Sequence, residues 1–308
     1  MAEKNGLRYL NCFTMNNCKI ANELRKYRDL ANSINQVSLS GEKYQKPADC
    51  VDYAEYIITR ELTNLDMVVA NAAYTVMTAA PDDSFQAETI ARVMAGNPER
   101  RITAKKRLEL EQCLQKLSRT RIHILADHDH QVEQDLYEGD FLPITWEGED
   151  GRLRFRFRRG ETMPLYQYAE HHRQLLQVPF AWLRDDDGEQ LRHNNNDRML
   201  LLRHFLLQEL EVIRYPGNRV TERKLRLLKR DREGQEMGLL WMLGLSETGE
   251  ETVARKVQTL LGQLLENWQK SGCLEAMQYQ MLPPEEGFGV RLTCIRSDQK
   301  LQDKDADA

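Results

Sequence analysis

The chain has 308 residues, 41% hydrophobic and 30% charged, with a formal net charge of −5 at neutral pH. That length suits one large or two medium domains with real cores. No apolar run reaches the roughly eighteen residues that a membrane span needs, and the first residues, MAEKNGLRYLNCF, lack the apolar core of a secretion signal. The six cysteines (Cys12, Cys18, Cys50, Cys113, Cys273, Cys294) form no CxxC pair, which argues against a zinc ribbon or thioredoxin-type site and fits reduced thiols in a cytosol.

Residues 1–64 carry no sharp motif and are expected to form an N-terminal extension. A short helix is expected over 20–34, a loop over 38–52 and a helix over 53–62. From Leu65, LDMVVANAAYTVMTA is apolar on most sides and predicts a buried helix. Pro81 and the polar residues after it break that helix. FQAETIARVMAG gives a second helix that ends at Gly96. Thr103 caps a third, whose Leu110, Cys113, Leu114 and Leu117 recur as one apolar stripe. The opposite face collects Lys105, Glu109, Gln112, Gln115, Lys116 and Arg119, with Leu108 breaking the pattern. Residues 122–125 then read as a strand. A polar-faced helix running straight into a strand is how a winged helix carries its recognition helix into its wing. The alternative is a core helix followed by an ordinary strand.

A hairpin is expected next: residues 141–146, a turn at 148–151, and 152–158. Leu153, Phe155 and Phe157 alternate there with Arg152, Arg154, Arg156 and Arg158. An arginine row facing outward suits a wing that tracks a DNA backbone. Arginines that guard an edge strand against aggregation would give the same pattern. Residues 164–183 predict a helix with a short apolar continuation, and 185–196 are polar and turn-rich, as a linker would be.

The second half repeats the first in outline. Residues 197–213 predict a strongly apolar helix, ended by Tyr215, Pro216 and Gly217. Residues 220–231 are basic and read as helical. Over 251–271 a long amphipathic helix places Val253, Val257, Leu260, Leu261, Leu264, Leu265 and Trp268 on one face. Arg255, Thr259, Gly262, Glu266 and Gln269 lie opposite, flanked by Lys256 and Lys270. Gly272 ends it. Residues 274–281 and 288–295 form a hairpin around a Pro-Pro-Glu-Glu-Gly loop. The tail after Ser297 is expected to be disordered. The predicted fold class is α+β, mainly helical, with two winged-helix domains (65–183 and 197–296), the extension 1–64 and the tail 297–308.

The net charge hides strong local differences. Residues 100–121 hold eight Lys/Arg and two Glu, 152–159 hold five Arg and no acid, and 219–233 hold seven Lys/Arg and three acids. Between the first two, residues 127–150 hold nine acids and no Lys/Arg. Local basic faces are what phosphate contacts require.

LDMVVANAAYTVM, the short helix ending in VMAGNPERRIT, and EQCLQKLSRTRIHI together resemble the first winged-helix domain of bacterial plasmid and mobile-element replication initiators. LYQYAEHHRQLLQVP resembles the segment that follows in that family. LLENWQKSGCLEAMQYQ, with the stretch after Gly287, resembles the end of its second domain. The likeness spans residues 65–295 and lies in core patterns rather than in reactive groups. It implies two winged helices that bind repeated origin sites in double-stranded DNA, as monomer or homodimer, and recruit host replication proteins.

No GxxxxGK[ST] or GxGxxG occurs, which argues against a nucleotide-driven motor. His128, Asp129 and His130 invite a nickase or a metal site built with Asp127, His171 or His172; an exposed polar loop is the plainer reading. No enzymatic activity and no cofactor or metal are expected, and a cytoplasmic location is. On a recognition helix, Gln112 and Gln115 would pair adenine edges, and Lys105, Lys116 and Arg119 would hold phosphates. Arg255, Thr259 and Gln269 would serve the second domain. Arg154, Arg156 and Arg158, with Arg152, and then Arg223, Lys224 and Arg226, would add backbone contacts. The expected function is sequence-specific double-stranded DNA binding in initiation of plasmid or mobile-element replication. The alternative is a winged-helix transcriptional regulator, or a protein-binding scaffold whose acidic residues 127–150 face a partner.

Overall fold

A computed structural model describes residues 12–24, 37–39, 52–60, 62–128, 134–184, 197–214, 221–229, 238–242 and 250–295. The chain divides into two compact units, Met1–Arg184 and Asp185–Ala308, and is a mixture of helices and small antiparallel sheets. The linker expected over 185–196 and the tail after Ser297 lie outside the described residues.

The first unit begins with β1 (Cys12–Asn16) and α1 (Lys19–Leu24), followed by β2 (Val37–Leu39) and β3 (Asp52–Ile58). The helix expected over 53–62 is therefore wrong. Its seven strand residues pair antiparallel with β5 (Arg121–His128), from Asp52 opposite His128 to Ile58 opposite Ile122. A short segment rich in aromatic and β-branched residues takes the conformation its partner offers. Residues 12–16 also belong to this unit. β1 pairs with β9 (Leu175–Pro179), and buried side chains strap it to α2 (Asn64–Ala79). Asn16 N–H donates to Asn71 Oδ1 at 2.9 Å, Tyr166 OH donates to the same oxygen at 2.7 Å, and Thr14 N–H donates to Thr75 Oγ1 at 3.0 Å.

α2 is the buried helix expected from its apolar run. Thr63 caps it, accepting from Asp66 N–H at 3.2 Å, while Asp66 accepts from Thr63 N–H at 2.7 Å. This reciprocal pair satisfies two amides that the first turn would leave free. After β4 (Ser84–Phe85), α3 (Ala87–Met94) ends with Gly96 at φ 61°, a left-handed end that glycine adopts without penalty. Thr103 caps α4 (Ala104–Ser118), accepting from Lys106 N–H at 3.2 Å. Leu110, Leu114 and Leu117 of α4 are fully buried, each worth about 2 kcal/mol of apolar burial. Cys113, expected in the same stripe, is half-buried at its margin.

The strand that follows α4 does not belong to the hairpin that packs against that helix. β5 joins a four-stranded sheet of order β2-β3-β5-β6, with β6 spanning Gln134–Asp140. The hairpin that packs with α4 is the later one, β7 (Ile144–Glu147) and β8 (Arg154–Phe157). It forms a three-stranded sheet of order β4-β8-β7. β8 is thus a central strand rather than the edge. Phe85 stacks on Phe157 at 4.8 Å and on Phe155 at 5.7 Å, closing the apolar side of this sheet. The segment after it forms α5 (Pro164–His171), β9 and α6 (Phe180–Leu183). Part of the expected apolar continuation is therefore a strand, drawn into pairing by β1.

The second unit contains α7 (Asp197–Arg214), β10 (Glu222–Arg226), α8 (Leu239–Met242), α9 (Glu250–Lys270), β11 (Met277–Met281) and β12 (Gly289–Cys294). The helix expected over 220–231 is also wrong: ERKLR forms β10, paired with β12 from Glu222 opposite Thr293 to Arg226 opposite Gly289. Only Leu225 of that strand is buried, so its periodicity alone could not reveal a strand. The sheet order is β10-β12-β11, all antiparallel.

Set side by side, the two units share one arrangement. Each has a long helix, a strand, a short helix, a long helix and a hairpin, and in each the last strand lies between the other two. In the first unit β5 and β6 are inserted between α4 and the hairpin, and β1, α1, β2, β3, α5, β9 and α6 lie outside the shared arrangement.

Candidate nucleic-acid interface

Helical periodicity dictates which α4 residues reach solvent. With three leucines inward, Lys105, Leu108, Glu109, Gln112 and Arg119 are exposed, while Gln115 and Lys116 are half-buried. Arg101 and Thr103 are exposed just before the helix. Lys116 is not free to meet a ligand. Its ammonium lies 2.7 Å from Asp66 Oδ2, the capping carboxylate of α2, which is only 2% exposed. Glu109 is held by Lys106 at 3.1 Å.

The β7–β8 hairpin presents the expected alternation. Arg152, Arg154 and Arg156 are exposed, while Leu153, Phe155 and Phe157 are buried. Arg154 stands opposite Glu147, and Arg156 stands between Thr145 and Ser84. Arg158 departs from the row. It is ion-paired with Asp140 and lies 3.0 Å from Glu161, and the Asp140 bond pushes its already high pKa further up.

Two side chains without a motif of their own hold the hairpins to the helices. Glu111 is 1% exposed, and its carboxylate accepts from Gly151 N–H at 2.5 Å and Leu153 N–H at 3.0 Å. In the second unit, Gln258 of α9 accepts from Gly289 N–H at 2.6 Å and donates to the Leu282 carbonyl at 3.0 Å. Each module also lays an arginine over a hairpin aromatic. Arg119 lies 5.5 Å from the Trp146 ring centre, and Arg255 lies 5.5 Å from that of Phe288. Gly289 allows the second junction. It sits at φ 112°, and a Cβ there would fall 2.0 Å from the Leu225 carbonyl oxygen. The only local hint of Glu111 is a carboxylate standing inside an apolar stripe.

On α9, Arg255, Lys256, Thr259, Glu266, Gln269 and Lys270 are exposed, opposite the buried Val257, Leu261, Leu264, Leu265 and Trp268. Arg255 also lies 2.6 Å from Glu251, and the Thr259 hydroxyl donates to the Arg255 carbonyl at 3.1 Å. The β10 cations divide between two sides. Arg223 lies 3.3 Å from Glu209 of α7, whereas Lys224 is bonded to Glu286 in the hairpin loop. Arg291, opposite Lys224 on β12, lies 3.9 Å from the same carboxylate, a neighbour that only the strand pairing reveals. Lys224, and then Arg291 and Arg226, hold the Glu286 carboxyl below its usual range. Arg226 is half-buried.

Among the described residues, no three His, Cys, Asp or Glu side chains converge as a metal site would need. The His128 side chain, Asp129 and His130 lie outside them, and His171 Nδ1 is 3.0 Å from the Tyr137 hydroxyl. No helix among the described residues is long and apolar enough to cross a membrane.

No family model matches the sequence, and no curated protein sequence is similar to it. A solved structure of domain 2 and domain 3 of RctB is similar over 95% of this chain and 99% of its own, with a TM-score of 0.40 and 10% identity. A likeness that distant decides nothing about function, which rests instead on the geometry of this chain and its sequence pattern.

Proposed function

We propose that the chain is a sequence-specific double-stranded DNA-binding protein with two winged-helix modules, acting in initiation of plasmid or mobile-element replication. The observation that supports this best is the repeated arrangement of helix, strand, two helices and hairpin, with the last strand central in both sheets. In both modules the third helix turns a polar, cation-bearing face outward and carries the hairpin against its flank. In this reading α4 and α9 are recognition helices and the two hairpins are wings. A helix of this kind fits the major groove, and cations beside it neutralise phosphates.

The contacts follow from exposure. Gln112 reads base edges in the first module, aided by Gln115, while Thr259 and Gln269 do so in the second. Lys105, Arg119, Arg152, Arg154 and Arg156 contact phosphates in the first module, with Arg255 and the half-buried Arg226 in the second. Lys116, Arg158, Arg223 and Lys224 act indirectly, through the ion pairs that fix the helices and sheets beneath. The replication role, and with it a homodimer and host replication proteins as partners, rests on the resemblance of residues 65–295 to the initiator family. No catalytic step or cofactor is part of the proposal.

The test is fluorescence anisotropy of the full chain on labelled duplexes across a salt series. The logarithm of the binding constant should fall linearly with the logarithm of salt concentration. Replacing Arg152, Arg154 and Arg156 by Ala should reduce the slope by about one for each phosphate that is no longer neutralised. No binding to any duplex at low salt would overturn the reading.

A further inference from the structure

We infer that α4 reads A·T base pairs in the major groove, with Leu108 packed on a thymine methyl and Gln112 bonded to an adenine. This rests on the DNA-binding reading above and names the kind of site the first module selects. The starting observation is an apolar side chain on a polar face. Among the described residues the exposed large hydrophobics are Leu108 at 38% and Leu136 at 52%. Leu136 lies on β6, the edge strand of the four-stranded sheet, away from any recognition helix. Leu108 lies on the outward face of α4, one helical turn before Gln112 and beside Lys105.

A single exposed leucine on a protein surface is ordinary. The company of Leu108 makes it informative. The core side of α4 is already filled by Leu110, Leu114 and Leu117, and Leu108 points away from them with 38% of its surface open to solvent. Its neighbours along the outward face, Lys105 and Gln112, are the residue types that hold a phosphate and pair an adenine. A duplex is polar along both backbones, and the apolar group it offers at a base edge in the major groove is the C5 methyl of thymine. Glutamine pairs bidentately with N6 and N7 of adenine, so both side chains favour the same base pair. Glu109, the carboxylate on this side, is drawn to Lys106 at 3.1 Å and is not needed for the reading. Residues four apart in a helix are separated by about 6 Å along its axis. Successive base pairs rise about 3.4 Å, so the two contacts should fall within two base-pair steps of each other.

The test selects duplexes from a random-sequence library with the full-length chain, then replaces each thymine of the enriched site by uracil. Uracil keeps every hydrogen-bonding group of thymine and lacks only the methyl. For the unaltered protein, one such replacement should weaken binding about fourfold, the effect of removing one buried methyl group. Leu108→Ala should bind thymine and uracil sites equally, whereas Leu108→Met, which keeps an apolar tip, should retain the discrimination. Gln112→Ala should relax the preference for adenine within two steps of that thymine. A Tm measured for each variant, expected to match that of the unaltered protein, shows that binding is read on a folded chain. Equal uracil sensitivity of the unaltered and Leu108→Ala proteins at every position would overturn the inference. So would an enriched site without A·T pairs, and either result leaves DNA binding itself standing. Failure to recover any bound duplex would overturn the DNA-binding reading, and this inference with it.

Discussion

Glu111 stands among leucines at 1% exposure, where a carboxylate is costly unless its oxygens are bonded. It meets that demand by taking the amides of Gly151 and Leu153, and so joins the hairpin to α4. Glu111→Ala would take this acceptor from both amides, of which that of Leu153 is buried. Stability should fall by about 1–3 kcal/mol, read as a lower Tm, and hydrogen exchange at Gly151 and Leu153 should speed up. Glu111→Gln keeps one acceptor and should lose less. An alanine variant with unchanged Tm and amide protection would show that the clamp is not needed. At this scale the helical wheel is a good guide to what faces solvent: Lys105, Gln112, Arg119, Arg255, Thr259 and Gln269 are all exposed. It cannot reveal Glu111 or Gln258, because their partners are hairpin backbone groups that come near only once the chain has folded.

Elements with a long apolar stripe are legible from spacing, and α2, α4, α7 and α9 lie close to where periodicity puts them. Elements of a few residues are not. β3, β9 and β10 are strands because β5, β1 and β12 lie beside them, and no local pattern encodes a partner so distant in sequence. The insertion of β5 and β6 is hidden for the same reason. A strand directly after α4 looks like a wing strand until its pairing is known. The role of Lys116 also changes at this scale, because its charge joins two helices. Lys116→Ala should lower the Tm by leaving Asp66 buried without its cation, a cost of about 1–3 kcal/mol. Lys105→Ala, at an exposed site of the same helix, should leave the Tm unchanged and reduce the salt slope of DNA binding by about one. If the two variants behaved alike in both measurements, the division between supporting and contacting cations would be wrong.

For the whole molecule, a net charge of −5 opposes approach to DNA at long range. At contact distance salt screens charges beyond about 8–10 Å, so the local faces decide the outcome. In the first module Lys105, Arg119 and the Arg152, Arg154 and Arg156 row supply exposed cations, whereas on α9 the exposed Arg255, Lys256 and Lys270 are offset in part by Glu251 and Glu266. Two linked modules that each bind a part of one duplex gain affinity through effective concentration, by a factor of about 10²–10⁴. A weak grip by each module is thus compatible with tight binding by the chain. The recurrence of one strand order, one hairpin clamp and one arginine–aromatic contact in both units is the ground for assigning them the same task. The measurement that tests this most directly is hydroxyl-radical footprinting of the full-length chain on a selected duplex. Two protected segments are expected. Lys105→Ala with Gln112→Ala should weaken one of them, and Arg255→Ala with Gln269→Ala the other. A single protected segment that ignores either pair of substitutions, or no protection at all, would contradict that assignment.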